Sequence, residues 1–243
     1  KSDEKVAALI RVQSKANSRG EDETWSQPGY LLFATKNGTV KKTEISDFAN
    51  VRKGGIIAIN IEQGDSLIDV KLTTGTNEVV LITHEGMSIR FNEEEVRSMG
   101  RGTTGVRGIN LEPTDRVVAL AIVLPDTTLL VAGENGIGKR TGFDEYRTQS
   151  RGGKGVITMK TTDKTGGIAG ALAVQAQDEI MLISWEGQMV RIRVDQIREA
   201  GRNTMGVKLI ELTGTDRLQA IAPVISDKAE AETPGTPPDG PAA

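Results

Sequence analysis

Basic side chains recur in this sequence at a spacing that suits a polyanion. Four residues after each of Gly38, Gly86, Gly136 and Gly187 stands Lys42, Arg90, Arg140 or Arg191, and Lys41 and Lys139 directly precede two of them. A second column lies four residues before Gly105, Gly155 and Gly206, as Arg101, Arg151 and Arg202; the first repeat, two residues shorter here, offers Arg52 and Lys53. Lys and Arg make up 30 of 243 residues, so a position that is basic in all four repeats is not background. Taken singly, each is a solvated strand or loop charge. Repeated along a curved surface, they form a belt that can hold phosphates without reading bases. The loop Gln149-Ser150-Arg151-Gly152-Gly153-Lys154-Gly155 sets two cations around glycines, where backbone N–H groups can approach a phosphate closely.

Enzymatic chemistry finds little support. His84 is the single histidine, and beside Glu85-Gly86 it reads as a solvated turn residue. No His, Cys or carboxylate cluster has metal-ligand spacing, so no catalytic, cofactor or metal residue is expected. Asp65, Asp115 and Asp216 recur just before a strand and read as turn caps. Gly136-Ile137-Gly138 sits in a hairpin with no following helix, unlike a nucleotide loop. Trp25 and Trp185 read as packing residues.

The elements that must position these cations come from the repeat. Gly55, Gly105, Gly155 and Gly206 recur at intervals of 50, 50 and 51 residues, the mark of an array of stacked units. Each unit opens on a continuous apolar run, such as Val79-Val80-Leu81-Ile82, which reads as a strand buried on both faces. Asn37-Gly38, Glu85-Gly86, Asn135-Gly136 and Glu186-Gly187 then turn the chain into a second strand. Ten residues on comes an apolar anchor, Phe48, Val96, Tyr146 or Ile197, followed by a Gly-rich loop, a further strand such as Gly55 to Ile59, and a closing strand. Four strands per unit and no helical period predict an all-β, propeller-like disc of four-stranded blades, four full repeats and part of a fifth. The predicted blades span 30–77, 78–126, 127–177 and 178–226. Residues 1–12 are expected to hold the last strand of an incomplete blade, 13–29 a surface loop, and 227–243 an acidic, Pro-rich disordered tail.

The net charge of −3 conceals its distribution. Without the tail the body holds equal numbers of acidic and basic residues, so local placement decides the partner. There is no cysteine for a disulfide or thiolate site, and no apolar run long enough to span a membrane. A cytoplasmic protein is expected, and the initial Lys1 suggests a piece of something longer.

The loop 149–155 matches six of seven positions of the gyrase A box, whose pattern is Gln, Arg or Lys, Arg, Gly, Gly, Lys, Gly; Ser150 is the departure. Over residues 1 to about 225 the sequence resembles the C-terminal DNA-wrapping domains of the family that unites DNA gyrase A with its topoisomerase IV counterpart. That resemblance implies a β-pinwheel whose blades exchange strands and whose basic rim bends duplex DNA, directing negative supercoiling by a type II topoisomerase. It implies as partners double-stranded DNA, the breakage–reunion domain of the same polypeptide and the ATPase subunit of a heterotetramer, in a nucleoid-associated setting. ATP and magnesium would serve those other parts, with no cofactor in this chain. Neither Tyr30 nor Tyr146 sits in an arginine-tyrosine pair like that of the cleaving domain. The family pattern has six blades with the box in the first, whereas this chain has four full units with its best box in the third. That implies a piece lacking the first blades. A topoisomerase IV domain and a protein-interaction propeller are the alternatives.

Overall fold

A computed structural model describes residues 6–10, 15–16, 22–23, 29–50 and 52–224. The acidic tail, Trp25 and most of 13–29 lie outside the described residues. Two short strands, β1 (Lys15–Ala16) and β2 (Asp22–Glu23), pair antiparallel where a continuous loop was expected. The rest is built from strands and short 3-10 turns, with no α-helix among the described residues.

Repeat one supplies β3 (Tyr30–Thr35), β4 (Thr39–Glu44) and β5 (Leu67–Thr73). Repeat two supplies β6 (Glu78–Thr83), β7 (Met87–Asn92), β8 (Val106–Arg107) and β9 (Val117–Ile122). Repeat three supplies β10 (Thr128–Gly133), β11 (Ile137–Gly142), β12 (Val156–Ile157) and β13 (Ile168–Val174). Repeat four supplies β14 (Glu179–Ser184), β15 (Met189–Arg193), β16 (Val207–Lys208) and β17 (Leu218–Pro223). The apolar runs β3, β6, β10 and β14 are the second strand of each sheet, bonded on one side to their hairpin partner and on the other to the closing strand.

The sheets do not follow the repeat boundaries. Their orders are β5-β3-β4-β8, β9-β6-β7-β12, β13-β10-β11-β16 and β17-β14-β15, so the fourth strand of each of the first three blades comes from the next repeat. The closing strands β5, β9, β13 and β17 pack side by side at the inner ends of the blades, which puts the exchanged strands at the outer edge. Four blades set side by side in this way form a propeller-like array.

Between blades lie the cores. Leu32 and Ala34 of blade one meet Val79 and Leu81 of blade two; Val80 and Ile82 meet Leu129 and Val131; Leu130 and Ala132 meet Ile180 and Leu182. The two faces of β3, β6 and β10 thus serve two different clusters, which is why those runs are continuous and not alternating. By contrast, β14 buries Ile180 and Leu182 on one face and leaves Met181 and Ile183 only partly buried on the other, against the expectation of burial on both.

Two expected strands are absent. Residues 56–59 form none, although the equivalent Val106–Arg107 does, because a segment of this kind pairs only with the blade before it. Ile57 is accordingly 70% exposed. Residues 6–10 also make no ladder, but Ala8 and Ile10 pack on Leu31, Phe33 and Phe48, the place a closing strand of a preceding blade would occupy.

Candidate nucleic-acid interface

The exchanged segment decides which cations reach solvent. After the 3-10 turn Glu93–Glu95, the chain crosses to blade one, where Ser98 bridges to Lys42 and Val106–Arg107 pairs with Val40 and Thr39. Residues 97–107 therefore cover the edge of β4. The same crossing recurs after Phe143–Glu145 and after Val194–Gln196, with bridges Arg90 to Thr148 and Arg140 to Glu199. The turns are seated by the apolar anchors Phe48, Val96, Tyr146 and Ile197, all buried.

This covering corrects the expectation of an exposed belt at Lys42, Arg90, Arg140 and Arg191. Lys42 is buried, and its Nζ donates to the Glu93 carbonyl (2.8 Å) while lying 5.1 Å from the Tyr30 ring centroid. Arg90 donates to the carbonyls of Phe143 (2.6 Å) and Tyr146 (3.2 Å) and pairs with Glu78. Arg140 donates to the Ile197 carbonyl (2.8 Å) and lies 3.3 Å from Glu199. These three are clamps between blades, holding carbonyls of the next repeat's turn. Arg191 differs: among the described residues no exchanged strand pairs with the edge of β15, and the side chain is 56% exposed, paired with Glu179.

Lys41 and Lys139 are buried outright, which also removes them from the surface. Lys41 donates to the carbonyls of Ala58 (2.7 Å) and Arg101, and Lys139 to those of Gly201 and Arg202. Burial pushes both ammonium groups down to about 8, against the opposing pull of Asp47 on Lys41 and of Glu145 on Lys139.

The box loop lies on blade two. Gly155 has φ of 80° and packs so closely on the Ser88 carbonyl that a Cβ would collide with it; Gly105 and Gly206 meet Val40 and Gly138 in the same way. The Arg151 guanidinium donates to the carbonyls of Glu95 (3.0 Å) and Arg107 (3.0 Å), and its backbone N–H to the Glu95 carboxylate (3.1 Å). Gly152 N–H donates to the Gly108 carbonyl (2.6 Å), and Asn110 N–H to that of Gly153 (2.9 Å). Lys154 points outward, its side chain 70% exposed, with Nζ 2.8 Å from Glu112 Oε1. The hydrogen bond and charge of Lys154 hold the Glu112 carboxyl below the usual carboxylate range, and Glu112 in turn holds Lys154 above its ordinary value. Arg202 repeats the Arg151 arrangement, donating to the Ile157 carbonyl (2.8 Å), with its N–H on Glu145 (2.9 Å). Arg101 is half-buried; Arg52 and Lys53 are exposed.

Sequence reading missed a third column. Arg97, Arg147 and Arg198 each follow an apolar anchor, at intervals of 50 and 51 residues, and all are exposed on the crossing segment. With Arg107 and Lys208, exposed on their exchanged strands, they lie along the outer edge of successive blades. The signal was present in the sequence: the first repeat breaks it with Ala49, which hid the period.

Two other residues depart from expectation. His84 is not a solvated turn residue: its side chain is 21% exposed and Nε2 lies 3.0 Å from Glu134 Oε1. The ring fills the space that a Cβ at Gly167 would need, which accounts for the glycine at that position, where the other repeats carry Ser66, Arg116 and Arg217 directly after the recurring Asp. Those aspartates accept from hairpin N–H groups, Asp65 from Asn37, Asp115 from Glu85 and Asp216 from Glu186. Trp185 is 76% exposed and not a packing residue. Among the described residues there is no group of three potential metal ligands, and no helix is long and apolar enough to cross a membrane.

Comparison with known proteins gives consistent matches. The family described as "DNA gyrase C-terminal domain, beta-propeller" matches residues 29–74, 77–124, 127–175 and 178–225. The DNA gyrase A protein of Clostridium acetobutylicum is 43% identical over 227 residues, 93% of this chain and 26% of that protein. Its Escherichia coli counterpart is 41% identical over 230 residues, 93% of this chain and 25% of that protein. The chain thus spans about a quarter of the length of these relatives. Among solved structures, the C-terminal domain of DNA topoisomerase IV aligns with a TM-score of 0.78 at 30% identity, over 83% of this chain and 64% of that one. The DNA gyrase A C-terminal domain aligns with a TM-score of 0.76 at 29% identity, over 84% and 68%.

Proposed function

The chain belongs to the family of DNA gyrase C-terminal domains, and from that membership we propose that it binds and wraps duplex DNA as a non-catalytic part of the DNA gyrase A protein. The observation that carries this reading is the recurrence of exposed cations on the crossing segments, Arg97 with Arg107, Arg147 with Lys154, and Arg198 with Lys208, one set per blade edge. A duplex following this edge would meet one cationic set after another, and neutralising phosphates in sequence favours a bent path. Arg52, Lys53, Arg101, Arg151, Arg191 and Arg202 flank the same track, and Gly152, Gly153 and Gly155 let the box backbone lie close to it. Lys41, Lys42, Arg90, Lys139 and Arg140 serve instead to fix the crossing segments that carry the track.

In this reading the wrap presents duplex to a breakage–reunion domain in the same polypeptide and works with an ATPase subunit that uses ATP and magnesium, in the bacterial cytoplasm. A topoisomerase IV domain is the second reading, supported by the alignment with that enzyme's domain and by the missing box cation at Ser150.

The test is to seal nicked plasmid with ligase in the presence of the protein and measure linking number. A change that grows with protein and saturates is expected; none at saturation would sink the proposal. Binding should be nearly independent of sequence, and about six phosphate contacts would give log K against log salt a slope near −5.

A further inference from the structure

The box lysine already has a partner. Lys154 Nζ donates to Glu112 across 2.8 Å, with both side chains more than half exposed. The same two positions meet at the next blade edge, where Thr162 Oγ1 lies 3.7 Å from Met205 Sδ. In the register of the repeats Lys154 corresponds to Met205 and to Thr104, and Glu112 to Thr162 and to Glu62. Opposite charges on both sides therefore occur at the box and at neither equivalent place, so they are not a general requirement of the interface.

The loop does not need this pair to hold its place. Arg151 and the backbone bonds of Gly152 and Gly153 already fasten it to blade two. What Glu112 does is put a carboxylate oxygen within hydrogen-bond distance of the box cation that faces solvent. A phosphate oxygen of a duplex on this edge would seek the same ammonium.

We infer that Glu112 is a built-in competitor for the phosphate site at Lys154, so that the box lysine is neutralised in the free protein and engages DNA by exchanging carboxylate for phosphate. This rests on the reading of the outer edge as a DNA surface. An exposed ion pair contributes little in water, so it yields readily to a polyanion, whose field is summed over many charges. Its effect is to make the box the conditional part of the track, while Arg97, Arg147 and Arg198 remain open.

Four proteins test this: the wild type, Glu112→Gln, Lys154→Met and the double variant, each titrated with a mixed-sequence duplex over a range of salt. Glu112→Gln should tighten binding about two- to fivefold, the range set by the loss of one exposed ion pair, and steepen the salt slope by up to about one unit. In the Lys154→Met background the same substitution should change affinity by less than about 1.3-fold, the coupling expected of groups that act on each other. Equal tightening in both backgrounds would make Glu112 a diffuse surface charge and overturn the inference. So would no tightening by Glu112→Gln in a protein that still wraps plasmid. Absence of duplex binding and of any linking-number change in all four would instead remove the DNA reading itself, and this inference with it.

Discussion

The box loop and its two sister loops lie on equivalent edges but are held from different sides. Beneath the sisters, Lys41 and Lys139 push a buried ammonium into the loop carbonyls of Arg101, Gly201 and Arg202. Beneath the box the same strand position is Ile89, buried in the core, whose side chain can only pack against Gly153. The box is held by Arg151 above and by the backbone bonds of Gly152 and Gly153, while its lysine, Lys154, pairs with Glu112 at the surface. An interior charge fixes the sisters to the blade, whereas the box keeps its lysine at the surface. The loop closest to the family pattern is thus the one whose charge remains available for exchange.

The largest test of this contrast is to empty the apolar support. Ile89→Ala should cost about 2–4 kcal/mol, as for other buried isoleucines, in urea denaturation. A cost near zero would mean that the box is seated by its polar bonds alone.

Lys139→Met should act locally. Losing the ammonium leaves the Gly201 and Arg202 carbonyls short of a donor, but it also removes a charge that is costly to bury, so global stability at pH 7 should move by only about 1 kcal/mol. Amide exchange at 201–206 should accelerate while that at 149–155 stays unchanged; acceleration in both loops would erase the distinction. The pH dependence has a defined sign. The folded-state pKa of Lys139, about 8, lies below its ordinary 10.5, so between these values the unfolded chain binds more protons and unfolding free energy rises with pH. The wild type should gain stability relative to Lys139→Met from pH 8 to 10. A relative loss would show that the charged form is favoured in the folded protein.

The smallest expected effect belongs to Ser150, exposed beside Arg151. Ser150→Arg restores the missing box cation and should steepen the salt slope of duplex binding by no more than about one unit. A larger change would mean that the added cation reorganises the loop.

Much of this architecture was legible from local chemistry. The hairpins at Gly38, Gly86, Gly136 and Gly187 are specified by residues next to one another, and the roughly 50-residue period follows from counting them. The continuous apolar runs announced strands buried on both faces, which holds for β3, β6 and β10, each packed between two clusters, but not for β14, which buries one face only. The capping role of Asp65, Asp115 and Asp216 was also readable, because a short carboxylate before a strand has few other uses.

The repeat, its turns and the presence of recurring cations are thus written in the order of the residues. Which cations face solvent was settled by the packing of the blades. Val106–Arg107 is only two residues long and pairs with a strand more than sixty positions earlier, too little local signal to mark it as the cover of a blade edge. Once it is there, Lys42, Arg90 and Arg140 lie beneath the crossing segments, while Arg97, Arg147 and Arg198 ride on top. His84 and Gly167 depend on each other for the same reason: they stand far apart in the chain and meet only where two blades pack. Charge is a property of the residue, but exposure is a property of what the fold places over it.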